Sequence, residues 1–335
     1  MTEGAAGALR LLEEPTTIDF CVSCLKDQFW AQTVDGFTLG AIYALIALGY
    51  TLVYGVLRLI NFAHSEIFMI GVFASLFALH AIGIETGDPA KTGAALVLTV
   101  LVMIAAGMAA SGVAAVVMER VAYRPLRRHG AQRLAALITA IGISLFLQEL
   151  FALRYGRNQL GFPRVLARNE LFNLGGASVR VDKLLVVVAA VVLMVALDRF
   201  VATTRLGRGI RATAQDPGTA ALMGVNIDRV VMLTFLLGGM LAGAGGALFG
   251  LFFESARYNI GFLPGIKAFT AAVLGGIGNI RGAFLGGLLL GLLENWGSTV
   301  LGGQWKDVFA FTVLVLVLMF RPTGILGESL RRARA

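Results

Sequence analysis

The chain has 335 residues, of which 57% are hydrophobic and 14% charged, and its mean hydropathy is +0.80. Soluble domains carry about 25% charged residues, so this composition excludes a water-soluble fold. The formal charge of +8 does not indicate nucleic-acid binding, because the arginines cluster in short connections between apolar stretches and form no continuous basic face.

Apolar stretches long enough to cross a bilayer recur along the chain, since a spanning helix needs about 20 apolar residues. They lie at about 36–57, 63–83, 93–118, 134–153, 183–201, 230–253 and 282–300, with a shorter one at 307–320. The sequence therefore predicts an all-α integral membrane protein, a polytopic bundle of about eight transmembrane helices with broken or re-entrant segments. We divide it into an N-terminal extension at 1–31, a membrane domain at 32–327 and a basic tail at 328–335.

The N-terminal extension is acidic and has no basic leader before an apolar run, so it does not resemble a cleavable signal peptide. Its two cysteines, Cys21 and Cys24, are the only ones in the chain and form a CxxC pair. A zinc site needs four ligands, and no second cysteine or histidine pair follows at suitable spacing. We interpret the pair as incidental and expect no metal and no cofactor.

The first break between apolar stretches falls at 58–66 and holds four polar residues, Asn61, His64, Ser65 and Glu66. Irregular backbone at membrane depth is tolerated where it faces protein or a wet cavity, and ionisable groups inside a membrane mark transport pathways. These four residues are therefore a candidate translocation path, with an interfacial turn as the alternative. An ordinary turn places the N-terminus outside and a re-entrant bend places it inside, and both remain open at this point.

Clusters of arginine predict the orientation of the chain in the membrane. The connections at 119–133 and 203–229 and the tail are rich in arginine, so the positive-inside bias places them and the C-terminus in the cytoplasm. The connection at 154–182 lies outside by alternation, although it also carries five arginines. Three more ionisable residues lie near or inside spans. We expect Glu149 and Glu294 toward helix ends, and Asp198 in an interfacial pair with Arg199.

The stretch 264–300 must bring the chain back to the side from which it started, which a single crossing cannot do. A short apolar piece at 266–277, the break at 278–282 and a full-length apolar run predict a half-helix hairpin that faces the protein interior. Glycines four residues apart, such as Gly287 and Gly291, predict close packing of helices within the chain. A subunit interface is the alternative for these glycines.

The segment 216–224 is typical of a short, capped surface helix at about 217–223. Asp216 suits the N-cap, Pro217 the first helical position and Gly224 the left-handed residue beyond the end. Leu222 and Met223 then stand at the end of the helix, as in a knob that docks into the groove of a partner. A capped linker helix on the bilayer surface is the alternative.

ATP hydrolysis would need a glycine-rich loop that ends in Gly-Lys followed by Ser or Thr, and the sequence contains none. An ATP-driven activity therefore requires a separate ATPase subunit.

The segment 216–224 resembles the coupling motif of permease subunits of ATP-binding-cassette importers. Residues 40–50 (GAIYALIALGY), 60–64 (INFAH), 119–127 (ERVAYRPLR), 267–278 (KAFTAAVLGGIG) and 321–327 (RPTGILG) resemble the high-affinity branched-chain amino-acid permeases of the LivH type. The similarity covers most of 36–327, and urea permeases share much of it. Ser65 stands where these families usually have glycine, and Gln215 stands where an acidic residue is common.

The resemblance implies a non-enzymatic permease in the inner (plasma) membrane, embedded in lipid and without nucleic-acid partners. It would work with two ATPase subunits, a second permease subunit of the same or another sequence, and a periplasmic or extracellular binding protein. The solute would be a branched-chain amino acid, with urea or a short amide as the alternative. A stand-alone ion-coupled transporter or channel is the rival class. Such a protein would need intramembrane carboxylates but no docking helix.

Overall fold

The computed structural model describes residues 21–168, 170–321 and 323–327. Most of the predicted N-terminal extension and the whole basic tail at 328–335 lie outside the described residues. The described chain is almost entirely helical, as predicted. Its helices are α1 Val22–Leu57, α2 His64–Ala81, α3 Gly93–Met118, α4 Arg124–Arg128, α5 Arg133–Tyr155, α6 Val181–Thr203, α7 Arg205–Gln215, α8 Pro217–Leu222, α9 Ile227–Phe253, α10 Phe262–Gly275, α11 Ile280–Leu301 and α12 Lys306–Phe320.

Eight of the described helices are long and apolar enough to cross a membrane. They coincide with the eight predicted stretches. Each of these stretches is too apolar to lie in water, so it lies in lipid or in the protein interior. Two boundaries differ from the sequence prediction. α1 begins at Val22, inside the predicted extension, and α3 continues through a π-helical turn at Glu119–Tyr123 into α4.

Four short strands interrupt the helices. β1 (Leu160–Gly161) pairs antiparallel with β4 (Ser255–Ala256), and β2 (Glu170–Leu174) forms a hairpin with β3 (Ala177–Arg180). Three of these strands fall in the polar connection at 154–182, where the sequence analysis assigned no regular structure. The pairing of β1 with β4 ties this connection to the segment that follows α9.

The two ends of α1 define two faces of the molecule. Arg58 donates a hydrogen bond to the carbonyl of Ala214 at 3.3 Å, so the end of α1 lies beside the connection at 203–229. At the start of α1, Asp35 pairs with Lys183 at 2.5 Å, next to the β2–β3 hairpin. We call the first the Arg58 face and the second the hairpin face.

The second helix returns to the hairpin face. Just after α2, Thr86 donates to the carbonyl of Gly161 at 3.4 Å, and the N–H of Lys91 donates to the carbonyl of Val165 at 3.0 Å. α1 therefore starts on the face opposite to 203–229, as expected if the break at 58–66 is a turn.

This turn nevertheless reaches deep into the bundle. The ring of His64, the first residue of α2, packs against Tyr50 with 4.7 Å between ring centroids, and its Nε2 fills the space beside Gly49. Gly49 lies eight residues before the end of α1, which is about 12 Å at 1.5 Å per residue. Residues 58–63 therefore run back along α1, and α2 starts inside the protein.

A half-helix hairpin follows α9, as predicted. The short α10 starts where Gly261 and Gly265 pack against Ser65, and a turn at 276–279 leads into the full-length α11. The starts of α2 and α10 thus meet in the interior of the bundle. α11 runs antiparallel to α1 in close contact, since an added Cβ on Gly287 would lie 2.5 Å from the Cα of Ala44.

Candidate functional site

A cavity of about 280 Å³ lies where α2 and α10 begin, between α1, α2, α5 and α10. Its wall is mainly apolar and consists of Tyr50, Phe62, Ile141, Leu145, Phe262 and Ile266. Three polar side chains complete the wall, namely Ser65, Ser144 and Gln148. Apolar cavities with a few convergent polar groups are typical of small-molecule sites, which start at about 300 Å³.

The three polar side chains of the wall converge on one carboxylate behind it. Glu66 is fully buried, and its Oε1 accepts hydrogen bonds from Ser65 Oγ at 3.1 Å, Ser144 Oγ at 3.1 Å and Gln148 Nε2 at 2.9 Å. Its second oxygen, Oε2, has no hydrogen-bond partner in the described part of the chain. The wall therefore has a buried carboxyl group directly behind it, and one oxygen of this group has no hydrogen-bond partner among the described residues.

Two of these polar groups come from α5 and escaped the sequence analysis. Ser144 and Gln148 are four residues apart, so they share one helix face, which points at Glu66. An i, i+4 pair of polar residues in the apolar stretch 134–153 was the available signal. Nearer the hairpin face, Phe151 of α5 packs against Phe73 of α2 with 5.0 Å between ring centroids.

The four predicted path residues separate into two pairs. Ser65 lines the cavity, and Glu66 supports the wall. Asn61 is buried and accepts a hydrogen bond from Tyr123 Oη at 2.8 Å, and His64 is buried against Tyr50. Asn61 and His64 therefore stabilise the break at 58–66 through buried contacts and do not line this cavity.

A second buried group of charges lies between α10, α11 and α12. Lys267 Nζ lies 2.8 Å from Glu294 Oε1 and 2.5 Å from Asp307 Oδ1, and Lys306 Nζ lies 3.6 Å from Glu294 Oε1. Tyr43 Oη adds a hydrogen bond to Glu294 at 3.3 Å. The expectation that Glu294 sits at a solvated helix end is wrong, because its side chain is fully buried and its Oε1 lies near cations from α10 and α12.

The other two ionisable residues lie at span ends. Glu149 pairs with Arg157 at 2.9 Å in an exposed position, as expected for a helix end. Asp198 pairs with Arg281 at 3.0 Å and not with its neighbour Arg199. Arg199 cannot reach Asp198 easily, because adjacent residues point away from each other on a helix.

The helix α8 has the predicted cap chemistry. Asp216 accepts hydrogen bonds from the N–H of Gly218 at 2.8 Å and from Thr219 Oγ1 at 2.5 Å, and the bond from Thr219 holds the pKa of Asp216 below its usual range. Pro217 is the first helical residue, and Gly224 has a φ of 85°, which favours glycine.

The end of α8 presents two apolar side chains to solvent on the Arg58 face. Leu222 is 89% exposed and Met223 is 81% exposed. Two large apolar side chains this exposed on a polar surface are typical of an interaction site.

The cysteines of the N-terminal CxxC pair are joined in a disulfide at the start of α1. Within the ranges that the structure describes, no three His, Cys, Asp or Glu side chains lie close enough together to hold a metal ion.

Comparison with known proteins identifies the family of this chain. Residues 32–318 match the family described as branched-chain amino acid transport system / permease component. The high-affinity branched-chain amino acid transport system permease protein BraD of Pseudomonas aeruginosa is 44% identical over 302 residues, which cover 89% of this chain and 95% of BraD. LivH of Escherichia coli, described by the same words, is 43% identical over 309 residues, which cover 90% of this chain and 96% of LivH.

A solved structure of PsaBC from Streptococcus pneumoniae in complex with a Fab is similar over 95% of this chain and 97% of that chain, at 12% identity and with a TM-score of 0.41. The match to the family spans most of the described chain, and the identity to two of its members extends over nine-tenths of it. The chain therefore belongs to the family of permease components of branched-chain amino acid transport systems.

Proposed function

We propose that this chain is the membrane-spanning permease subunit of an ATP-binding-cassette importer and moves branched-chain amino acids that an external binding protein delivers. The similarity to BraD and LivH along nearly their whole length is the observation that supports this proposal. The eight spans place the chain in a membrane, and we assign it to the inner (plasma) membrane. ATP hydrolysis then belongs to separate ATPase subunits.

The helix α8 is the ATPase docking element in this proposal, and the Arg58 face is the cytoplasmic one. The exposed Leu222 and Met223 supply the apolar contact, and the caps at Asp216 and Gly224 fix the direction in which that contact points. The hydrogen bond from Arg58 to the segment before α8 connects this element to α1. Movement of the ATPases can thereby reach the transmembrane helices.

Two ATPase subunits need two docking helices, so the working unit contains a second permease subunit, either another copy of this chain or a relative. The cavity beside Ser65 and Glu66 belongs to the translocation path. Asn61 and His64 act on this path indirectly, because they fix the turn that positions the start of α2.

Variants of α8 test the docking role. Replacement of both Leu222 and Met223 by serine removes the apolar contact, so uptake of labelled leucine and stimulated ATP hydrolysis should both fall at least about tenfold. D216A frays the start of the helix and G224V opposes its left-handed end. Each should reduce both activities several-fold while insertion and yield stay normal, because none of these residues lies in a span.

Leu171→Ser is the matched control, since Leu171 is 51% exposed but lies in β2 on the hairpin face. This variant should keep full uptake and full co-purification of the ATPases. If the α8 variants behave like this control, the segment is only a linker. Leucine uptake that continues without ATP and without ATPase subunits would instead favour the ion-coupled class, which could use the buried Glu66 or Glu294.

A further inference from the structure

Glu66 differs from the other fully buried carboxylates in its charge environment. Glu119 lies 3.3 Å from both Arg124 and Arg127, and Glu294 lies 2.8 Å from Lys267. Among the described residues, Glu66 has no such cation within 4.0 Å. A buried charge without a partner is costly, and the start of α2 and three hydrogen bonds offset only part of this cost.

The lack of a cation beside Glu66 and the shape of the cavity indicate which kind of ligand would fit. The wall in front of Glu66 is apolar apart from three neutral polar side chains, and the space of about 280 Å³ suits one small solute. Such a cavity fits an aliphatic group, and the carboxylate behind it fits a cationic group with several N–H donors. An aliphatic amino acid carries both features on adjacent carbons, whereas urea carries neither.

We propose that Glu66 binds the α-ammonium group of an aliphatic amino acid in transit, while the side chain of this amino acid packs against the apolar wall of the cavity. The proposal rests on the proposed function, because it concerns the solute that the permease moves. The free Oε2 of Glu66 is the acceptor for the ammonium group. Ser144 and Gln148 are the neutral partners that hold Glu66 while the site is empty.

The packing of α5 explains how a solute reaches a carboxylate that is buried in this state. α5 makes its main helix contact with α2, and its residues Leu145 and Phe146 are 58% and 63% exposed. A shift of α5 away from α2 carries Ser144 and Gln148 with it and opens Glu66 to the cavity. The solute ammonium then binds Oε2 in a charged interaction, which is stronger inside a protein than the neutral hydrogen bonds that Ser144 and Gln148 give up.

Glu66→Gln separates charge from structure in the complex with ATPases, second permease and binding protein. Glutamine has the shape of glutamate, and its carbonyl can accept the bonds that Oε1 accepts from Ser65, Ser144 and Gln148. The variant therefore loses the charge and the acceptor at Oε2 and keeps the packing. We expect the maximal rate of leucine uptake to fall at least about tenfold, with partial recovery in Glu66→Asp. Glu149→Gln removes an exposed carboxylate on α5, so this control variant should take up leucine at the normal rate.

A labelling experiment measures binding directly. A cysteine at Leu145, in a chain whose Cys21 and Cys24 are replaced by serine, lines the cavity and should react with a small thiol reagent. Leucine should slow this reaction several-fold, whereas 4-methylpentanoate, which keeps the carboxylate and lacks the ammonium group, should not. The protection should disappear when Glu66→Gln is added.

Three results would overturn the proposal: normal uptake in Glu66→Gln, equal protection by both ligands, or no protection by either. Normal uptake in Glu66→Gln would show that Glu66 serves only the hydrogen bonds and the start of α2 and does not bind the solute. These results leave the proposed function intact as long as the unaltered complex takes up leucine. A complex that takes up no leucine at all contradicts the proposed function itself.

Discussion

At the scale of single residues, the charges buried inside the bundle are sensitive to the loss of a partner. Lys267 is almost fully buried and holds two carboxylates, Glu294 on α11 and Asp307 on α12. Removal of one partner from a buried pair costs about 3–5 kcal/mol, because the remaining charge stays buried without a counter-charge. Lys267 should therefore matter more to stability than any exposed arginine of this chain.

Lys267→Met tests this argument. The variant leaves Glu294 with only the more distant Lys306, so we expect a clear drop in the temperature at which the detergent-solubilised protein loses its monodisperse peak on size-exclusion chromatography. The double variant Lys267→Met with Glu294→Leu removes both charges and should recover much of the loss. Arg157→Gln breaks an exposed pair and should change this temperature little. Equal loss in the double and the single variant would show that shape, not charge, makes Lys267 important.

Ser65 shows why one residue is hard to interpret from sequence alone. It stands where the resembling families usually have glycine, and a side chain at that position needs space in the surrounding helices. In the structure, Gly265 leaves the space that its side chain occupies, Gly261 lies against its backbone carbonyl, and its hydroxyl donates to Glu66. The compensation lies about 200 residues away, so only the folded chain reveals it.

At the scale of helices, glycine decides how closely the central pair packs. An added Cβ on Gly287 of α11 would lie 2.5 Å from backbone atoms of Ala44, and one on Gly291 would lie 2.4 Å from Gly40. Backbone cannot move aside as a flexible side chain does. The glycines four residues apart thus serve helix packing within this chain, which was the first of the two alternatives.

Gly287→Ala should therefore destabilise the protein by about 1–3 kcal/mol, as overpacking of a tight contact does. Gly142→Ala is the matched control, because Gly142 also lies in a transmembrane helix and an added Cβ there meets nothing within 4 Å. Alanine forms helices better than glycine, so this control should be neutral or slightly stabilising. Thermal stability on size-exclusion chromatography gives both values, and equal stability of the two variants would contradict close packing of α1 and α11.

Most elements could be predicted from sequence, since local patterns determine them. The apolar stretches gave the eight spans, and Asp216, Pro217 and Gly224 gave the bounds of α8 to within a residue. The contacts between elements could not be predicted. The bonds from Ser144 and Gln148 to Glu66 join residues about 80 positions apart, and nothing local to Glu66 indicates them.

At the scale of the whole molecule, the two faces are defined by contacts, but their orientation rests on charge. Arginines crowd the Arg58 face, yet the connection at 154–182 brings Arg157, Arg164 and Arg168 to the hairpin face. Arg164 and Arg168 pair there with Glu254, and the hydrogen bond from Arg164 holds the pKa of Glu254 below its usual range. The positive-inside bias counts arginine and lysine whether or not they are paired, so this connection weakens it.

Cysteine labelling from one side of the membrane decides the orientation. In a chain whose Cys21 and Cys24 are replaced by serine, we place a single cysteine at Leu171 on the hairpin face or at Met223 on the Arg58 face, both exposed. If the Arg58 face is cytoplasmic, a membrane-impermeant maleimide should label L171C in intact spheroplasts, and M223C only in inside-out vesicles. The reverse pattern would place α8 outside the cell, where no ATPase could reach Leu222, and would remove the docking role even if the family assignment stands. Labelling of M223C that also falls when the ATPase subunits are bound would connect orientation and docking in one measurement, because the same side chain would then be both cytoplasmic and covered.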